Sequence, residues 1–275
     1  MEQRTPASSD GASDLGSKRE TPLSYGGVRL SFGVETDVGV VRGENEDAFD
    51  AVAPGPDDPL APLGALFVVA DGMGGHAAGA LASSTAVSAL REAFYVPDES
   101  PAADRLLMGF AAAHERVLSV ASASPGRAGM GCTLVAAAIG SGCTIANVGD
   151  SRAYLLRDGG LTQVTADHSL VAAQVRAGLM THEAARHSPF RSALTQCVGG
   201  GAPFEPDIYH LTLLPGDVIL LCSDGLHDPL PELRICGILT GSSSPTEAAS
   251  ALVRAAIEAG SRDNVTAVCV FMAGA

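Results

Sequence analysis

Four aspartates stand where apolar runs stop or start: Asp71 after LFVVA, Asp150 after CTIANVG, Asp224 after VILLCS, and Asp263 ahead of NVTAVCVFM. If those runs are strands lying side by side, the carboxylates converge on one rim. Like charges so placed repel and cannot all stay ionised without compensation. Carboxylate and carbonyl oxygens with few nitrogen or sulfur ligands favour hard divalent ions, Mg²⁺ or Mn²⁺, which keep several waters. Two such ions close together activate water and stabilise both oxygens of an in-line displacement at phosphorus, the chemistry of phosphate-ester hydrolysis. An Asp-Gly pair alone is ordinary turn chemistry. Beside the other aspartates, Gly72 gains a second reason, because without a side chain its carbonyl can come close to an ion.

A second cluster lies upstream in TDVGVVRGENEDAFD, residues 36–50. Arg42 can fork onto two phosphate oxygens, and Glu46 and Asp47 follow at the start of an expected strand. In isolation the arginine would read as a surface ion pair and the acidic run as a solvated loop. Their meaning comes from the aspartates downstream.

The elements that must position these groups are legible as short apolar runs at 31–36, 48–53, 65–70, 132–139, 143–148, 153–156, 207–213, 217–222 and 264–272. Helical spacing of Ala, Leu and Val marks 77–95, 102–121, 168–177, 182–187, 231–240 and 246–259. Because the helices do not alternate strictly with the strands, an α+β layered sandwich is expected rather than a doubly wound parallel sheet. Residues 128–149 carry no charge over 22 positions. The Gly140-Ser141-Gly142 break inside them predicts two buried strands joined by a hairpin, not a membrane span. Asp158-Gly159 reads as another hairpin turn.

With 275 residues the chain suits one large domain. Residues 1–27, rich in Ser, Thr, Gly, Pro and charge, are expected to form a disordered tail ahead of a domain over 28–275. A formal charge of −14 argues against nucleic-acid or anionic-membrane surfaces, which need clustered Lys and Arg. The six cysteines are scattered without CxxC spacing and read as small buried hydrophobes of a reducing cytosol. With no secretory signal visible at the N-terminus, the expected location is cytoplasmic.

Six pieces, TDVGVVRGENEDAF, VVADGMGGHAAG, GMGCTLVAA, ANVGDSRAYLLRDGGLTQVTADHSL, LLCSDGLHD and SRDNVTAVCV, occur in an order that resembles the PPM family, the metal-dependent protein serine/threonine phosphatases of the 2C type, in compact bacterial form. The resemblance covers about residues 31–272. It implies a four-layer α-β-β-α sandwich of two antiparallel sheets flanked by helices, with a di-metal site at one edge. It implies two Mn²⁺ or Mg²⁺ ions, with Asp71 bridging them, the Gly72 carbonyl on one, and Asp224 and Asp263 completing the ligands of the first ion. Glu46 would serve the second ion directly or through water, Asp47 would hold a nearby water, and Arg42 the substrate phosphate. Asp150 would hold a third, weaker ion, with Ser192 a further contact from a flap over about 169–200. The substrates implied are phosphorylated proteins, Ser/Thr kinases and their substrates among them, with no nucleic acid and no membrane, and the protein a monomer.

The chain departs from many eukaryotic members in having Met73 where they carry a histidine after the Asp-Gly pair. His76 is then the nearest candidate acid, although a cap or surface role suits it as well. Cys132 replaces a threonine frequent in bacterial members and reads as strand core. His168 reads as a residue that orients a turn. A serine hydrolase built on Ser151 and His168 would leave Asp71, Asp224 and Asp263 unexplained. Two neighbouring readings are an inactive phosphoprotein-binding pseudophosphatase and a narrow phosphatase for an anti-sigma-factor antagonist.

Overall fold

The apolar runs at 65–70, 132–139, 143–148, 217–222 and 264–272 become strands buried on both faces, which is why they read as continuous rather than alternating. The computed structural model describes residues 23–25, 28–75, 77–97, 99–201 and 204–274. Residues 1–22, 26–27 and His76 therefore lie outside the described residues. Within the expected tail, a strand β1 (Leu23–Tyr25) pairs with the next strand.

The further strands are β2 (Val28–Asp37), β3 (Asp47–Val52), β4 (Ala65–Met73), β5 (Gly131–Cys132), β6 (Leu134–Ile139) and β7 (Cys143–Val148). They continue with β8 (Arg152–Arg157), β9 (Gly160–Gln163), β10 (Val198–Gly199), β11 (Asp207–Leu211), β12 (Val218–Cys222) and β13 (Val265–Gly274). The helices are α1 (Ala77–Phe94), α2 (Ala102–Ser122), α3 (Leu170–Arg176), α4 (His182–Arg186), α5 (Asp224–His227), α6 (Glu232–Gly241) and α7 (Pro245–Glu258). One antiparallel sheet of six strands has the order β1-β2-β13-β12-β8-β9. The other, of seven, runs β10-β5-β4-β6-β7-β11, with β3 also paired to β4.

Alternation within each strand divides the interior into three apolar layers. Leu66, Val68 and Ala70 of β4 face α1 and α2, packing with Ala82, Ala86 and Phe110. Ala65, Phe67 and Val69 of the same strand face Ile219, Leu221, Val268 and Val270 across the gap between the sheets. On the far side Leu220, Ala267 and Cys269 meet Leu252, Ala249 and Ile235 of α6 and α7. The result is the expected α-β-β-α sandwich. Each large side chain so buried is worth about 1.5–3 kcal/mol. Buried α1 residues Gly79, Ser83, Ala86 and Leu90 recur at helical spacing and are mostly small, letting the helix lie close on the sheet.

The hairpin over 140–142 and the Asp158-Gly159 turn form as expected, the latter with φ of 50° and 75°. All six cysteines are free, five of them buried. None of the helices in the described residues is long and apolar enough to cross a membrane. The short elements β10 and α5 were not anticipated, since neither two nor four residues show a period.

Candidate active site

At one end of the sandwich the layer between the sheets changes from apolar to polar. Each strand keeps its inward parity for one more step, so that Thr36, Asp71, Thr133, Ser151, Ser223 and Thr266 follow inward-facing apolar residues. Asp47 lies directly opposite Asp71 in the β3–β4 ladder, which puts both side chains on one face. The Asp71-Gly72 pair is therefore not a turn. Strand β4 continues through it to Met73, and the chain reverses at Gly74 and Gly75, with φ of 131° and 80°.

Thr133 sits between β5 and β6 and pins Asp71 in both directions. Its amide donates to the Asp71 carbonyl at 2.9 Å, and its Oγ1 accepts from the Asp71 amide at 2.9 Å. Ser151 Oγ lies 2.7 Å from Thr133 Oγ1 in full burial. His168 is engaged elsewhere: Nδ1 accepts from the Gly149 amide at 3.3 Å and Nε2 meets Asp207 at 3.1 Å. The two residues of the hydrolase alternative thus serve separate structural bonds, and His168 orients the turn before the flap.

Asp47 is the end of a directed chain of donors. Asn45 Nδ2 donates to Thr36 Oγ1 (2.9 Å), which lies 2.8 Å from Thr266 Oγ1. Thr266 Oγ1 donates to Asp47 Oδ2 (2.6 Å), and Ser223 Oγ donates to the same oxygen (2.7 Å). Since each hydroxyl has one proton, the chain can run only toward the carboxylate. Asp47 Oδ1 is buried without a partner. Burial pushes this carboxyl up to about 6 although both hydroxyl donors pull it down.

The loop before β3 is held by Asn264, in the piece SRDNVTAVCV. Its Oδ1 accepts from the Glu46 amide (2.8 Å), and its Nδ2 donates to the carbonyls of Val38 (2.9 Å) and Glu44 (3.0 Å). Glu46, only 6% exposed, turns its carboxylate onto the first turn of α1. A Cβ on Gly79 would fall on Glu46 Oε2 and within 3.0 Å of the Gly72 carbonyl oxygen. A Cβ on Gly72 would strike the backbones of Gly79 and Glu46. The two glycines thus let the Glu46 carboxylate and the Gly72 carbonyl pack directly against the first turn of α1. Gly72 is required first by this close backbone approach, a reason its neighbours in sequence do not reveal.

Asp224 opens α5, immediately after Ser223, and its Oδ1 is also buried without a partner. Burial, then the carboxylates of Asp47, Asp224, Asp150 and Asp263, hold Asp71 well above the usual range. Asp224 is raised in the same way, by burial and then by Asp150, Asp228, Asp263 and Asp47. Asp150 is pushed to about 7 by burial and by Asp167 and Asp228. Beneath it, His227 Nε2 donates to the Asp150 carbonyl at 3.0 Å, and burial keeps that imidazole neutral, down at about 3. Asp263 stands at the rim, where Arg42 Nη2 donates to its Oδ2 at 2.6 Å. Arg42 thus reaches the site with one nitrogen committed.

Asp150, Asp224 and Asp263 line a cleft of about 900 Å³, and the exposed Ser192 of the flap lines it too. The flap carries α3 and α4, capped by Ser169 and Thr181, whose hydroxyl oxygens accept from the amides of Ala172 and Ala184. Among the described residues no three His, Cys, Asp or Glu side chains are already arranged to enclose an ion. Hard ions that retain waters need few protein ligands. The unpartnered oxygens of Asp47 and Asp224, the Glu46 carboxylate and Gly72 carbonyl brought together at Gly79 and the suppressed ionisation of neighbouring aspartates all describe a site short of positive charge, which divalent cations fit.

The residues unforeseen in the sequence, Thr36, Asn45, Ser223, Thr266 and Asn264, carry one faint signal. Apart from Asn45 and Asn264, each continues an inward-facing register by two positions.

A family model described as protein phosphatase 2C matches residues 45–258. The serine/threonine protein phosphatase PstP of Mycobacterium tuberculosis is 36% identical over 87% of this chain, which spans only 44% of that relative's length. The serine/threonine phosphatase Stp of Listeria welshimeri is 35% identical over 86% of this chain and 93% of its own. Among solved structures, the catalytic domain of PstP in complex with two manganese ions superposes with a TM-score of 0.78 at 33% identity, covering 90% of this chain and 99% of that one.

Proposed function

Because this chain belongs to the protein phosphatase 2C family, we propose that it removes phosphate from serine and threonine side chains of proteins by metal-dependent hydrolysis. The observation that carries this reading is Asp71, half-buried opposite Asp47 and facing the carboxylates of Asp224, Asp150 and Asp263. Two Mn²⁺ or Mg²⁺ ions would supply the missing charge and an activated water.

The chain's own residues divide the remaining work. Asp71 would hold both ions in register, because Thr133 fixes its backbone from both sides. The Gly72 carbonyl and Glu46 would take the side toward α1, and Asp224 and Asp263 the side toward the cleft. Asp47, kept acceptor-only by two hydroxyl donors, would orient a water through its free Oδ1. Arg42 would bind the phosphate of the substrate. Asp150, aligned through its carbonyl by His227, would hold the third, weaker ion with help from Ser192. The partners on this reading are phosphoproteins, including Ser/Thr kinases and their substrates, and the protein works as a monomer in the cytoplasm.

The experiment is p-nitrophenyl phosphate hydrolysis with and without EDTA. Activity should vanish in chelator and return with Mn²⁺ or Mg²⁺. Full activity in chelator would overturn the reading.

A further inference from the structure

The flap is basic in an acidic protein. Between residues 169 and 200 stand Arg176, Arg186 and Arg191 against the single acid Glu183, whereas the whole chain carries −14. All three arginines are exposed and line the cleft that also holds Asp150, Asp224 and Asp263, and Arg262 lines the same cleft. Arg152, lower in this cleft, is consumed by a bidentate pair with Asp167 at 2.9 and 2.6 Å and a bond to the Tyr154 hydroxyl. The flap arginines are not consumed in this way. Arg176 donates to the main-chain carbonyl of Asp167, and among the described residues Arg186 and Arg191 make no side-chain hydrogen bond or ion pair. Their positive charge reaches Asp228 only through space.

Exposed guanidinium groups without carboxylate partners, gathered over a cleft, form a field that favours anionic ligands beyond the one at the floor. We propose that Arg176, Arg186 and Arg191 form a specificity surface that selects phosphopeptides with acidic side chains flanking the phosphorylated residue. The inference rests on the phosphatase reading above. The phosphorylated residue itself belongs with Arg42, which pairs with Asp263 of the same cleft, so the arginines meet the residues around it. Peptide backbone and phosphate are common to all substrates. A preference for flanking Asp and Glu is therefore the distinguishing consequence.

The test compares kcat/KM for three phosphothreonine peptides of equal length, with Asp/Glu, Ala/Gln or Lys flanks, in Mn²⁺ at low salt. The acidic-flanked peptide should be favoured over the neutral one by about five- to tenfold, the scale of two or three exposed ion pairs. That ratio should shrink toward one near 0.5 M NaCl, where the screening length is a few ångströms. Arg186→Ala with Arg191→Ala should collapse the ratio, and Arg186→Glu with Arg191→Glu should shift the preference to the Lys-flanked peptide. Equal kcat/KM on all three peptides in the parent would overturn the inference and leave the phosphatase reading standing. So would arginine variants that lose activity on every peptide alike, since the arginines would then read only the phosphate being removed. Failure to hydrolyse any peptide or p-nitrophenyl phosphate in Mn²⁺ would instead strike down the phosphatase reading, and the inference with it.

Discussion

Thr266 Oγ1 donates a 2.6 Å hydrogen bond to Asp47 Oδ2 across 219 residues of sequence. The bond joins the two sheets at the polar end of their shared core, and it ends a chain that begins at Asn45 and passes through Thr36. Thr266→Val keeps the shape but leaves the Thr36 hydroxyl without its acceptor and Asp47 with one donor fewer. Unfolding in urea should show a loss of about 1–3 kcal/mol. Because Thr36 and Thr266 act in one chain, the double change to valine should cost less than the two single costs added together.

Gly79→Ala tests the close packing of Glu46 on α1. The added methyl falls on Glu46 Oε2, so the carboxylate must leave or α1 must lift from β4. A stability loss of about 1–3 kcal/mol is expected, together with a higher Mn²⁺ concentration for half-maximal activity. An alanine at exposed Ser84, on the same helix, should leave the metal titration as in the parent.

Arg42→Ala should raise KM for phosphopeptides by about tenfold with a smaller change in kcat, the pattern of an interaction made in the ground state. Steady-state kinetics with and without Arg42 decides this, and an unchanged KM would remove Arg42 from phosphate binding. Asp71→Asn should instead cost several orders of magnitude in kcat, since it removes the group on which both ions depend.

Asp150→Asn should leave two tightly bound ions but lower turnover by about tenfold and displace the Mn²⁺ activation curve, because an ion with few protein ligands binds weakly. Calorimetric metal titration beside a melting curve separates this from a role in the turn. A mutant that melts lower with its Mn²⁺ response unchanged would show that Asp150 only shapes the chain before Ser151.

The raised carboxyls make a pH prediction for the metal-free protein. Asp47 at about 6 and Asp150 at about 7 lie above their values in the unfolded chain, as do Asp71 and Asp224. Their contribution to stability is therefore fully present below the unfolded value near 4 and is lost as pH rises through about 6 and about 7. In EDTA the melting temperature should fall from pH 5 to pH 8. With saturating Mn²⁺ the slope should flatten, since bound cations replace protons as the compensating charge. A melting temperature in EDTA that does not fall over this range would contradict the assignment.

The amino-acid sequence by itself determined where most strands and the long helices lie, that the two strands over 132–148 are buried, and that carboxylates stand at the ends of apolar runs. These follow from local composition: runs such as ALFVVA and VILLC are too apolar to face water, and Asp71 and Asp224 are where those apolar runs end. What the sequence could not show is who compensates those groups. Asp47 depends on Ser223 and Thr266, Arg42 on Asp263, and Gly72 on Gly79. Only the tertiary structure decided these pairings, because alternation tells which face a side chain takes but not which distant strand lies beside it. Hydrogen bonds near 2.7 Å and backbone contacts that exclude a methyl group exist only once strand register is set.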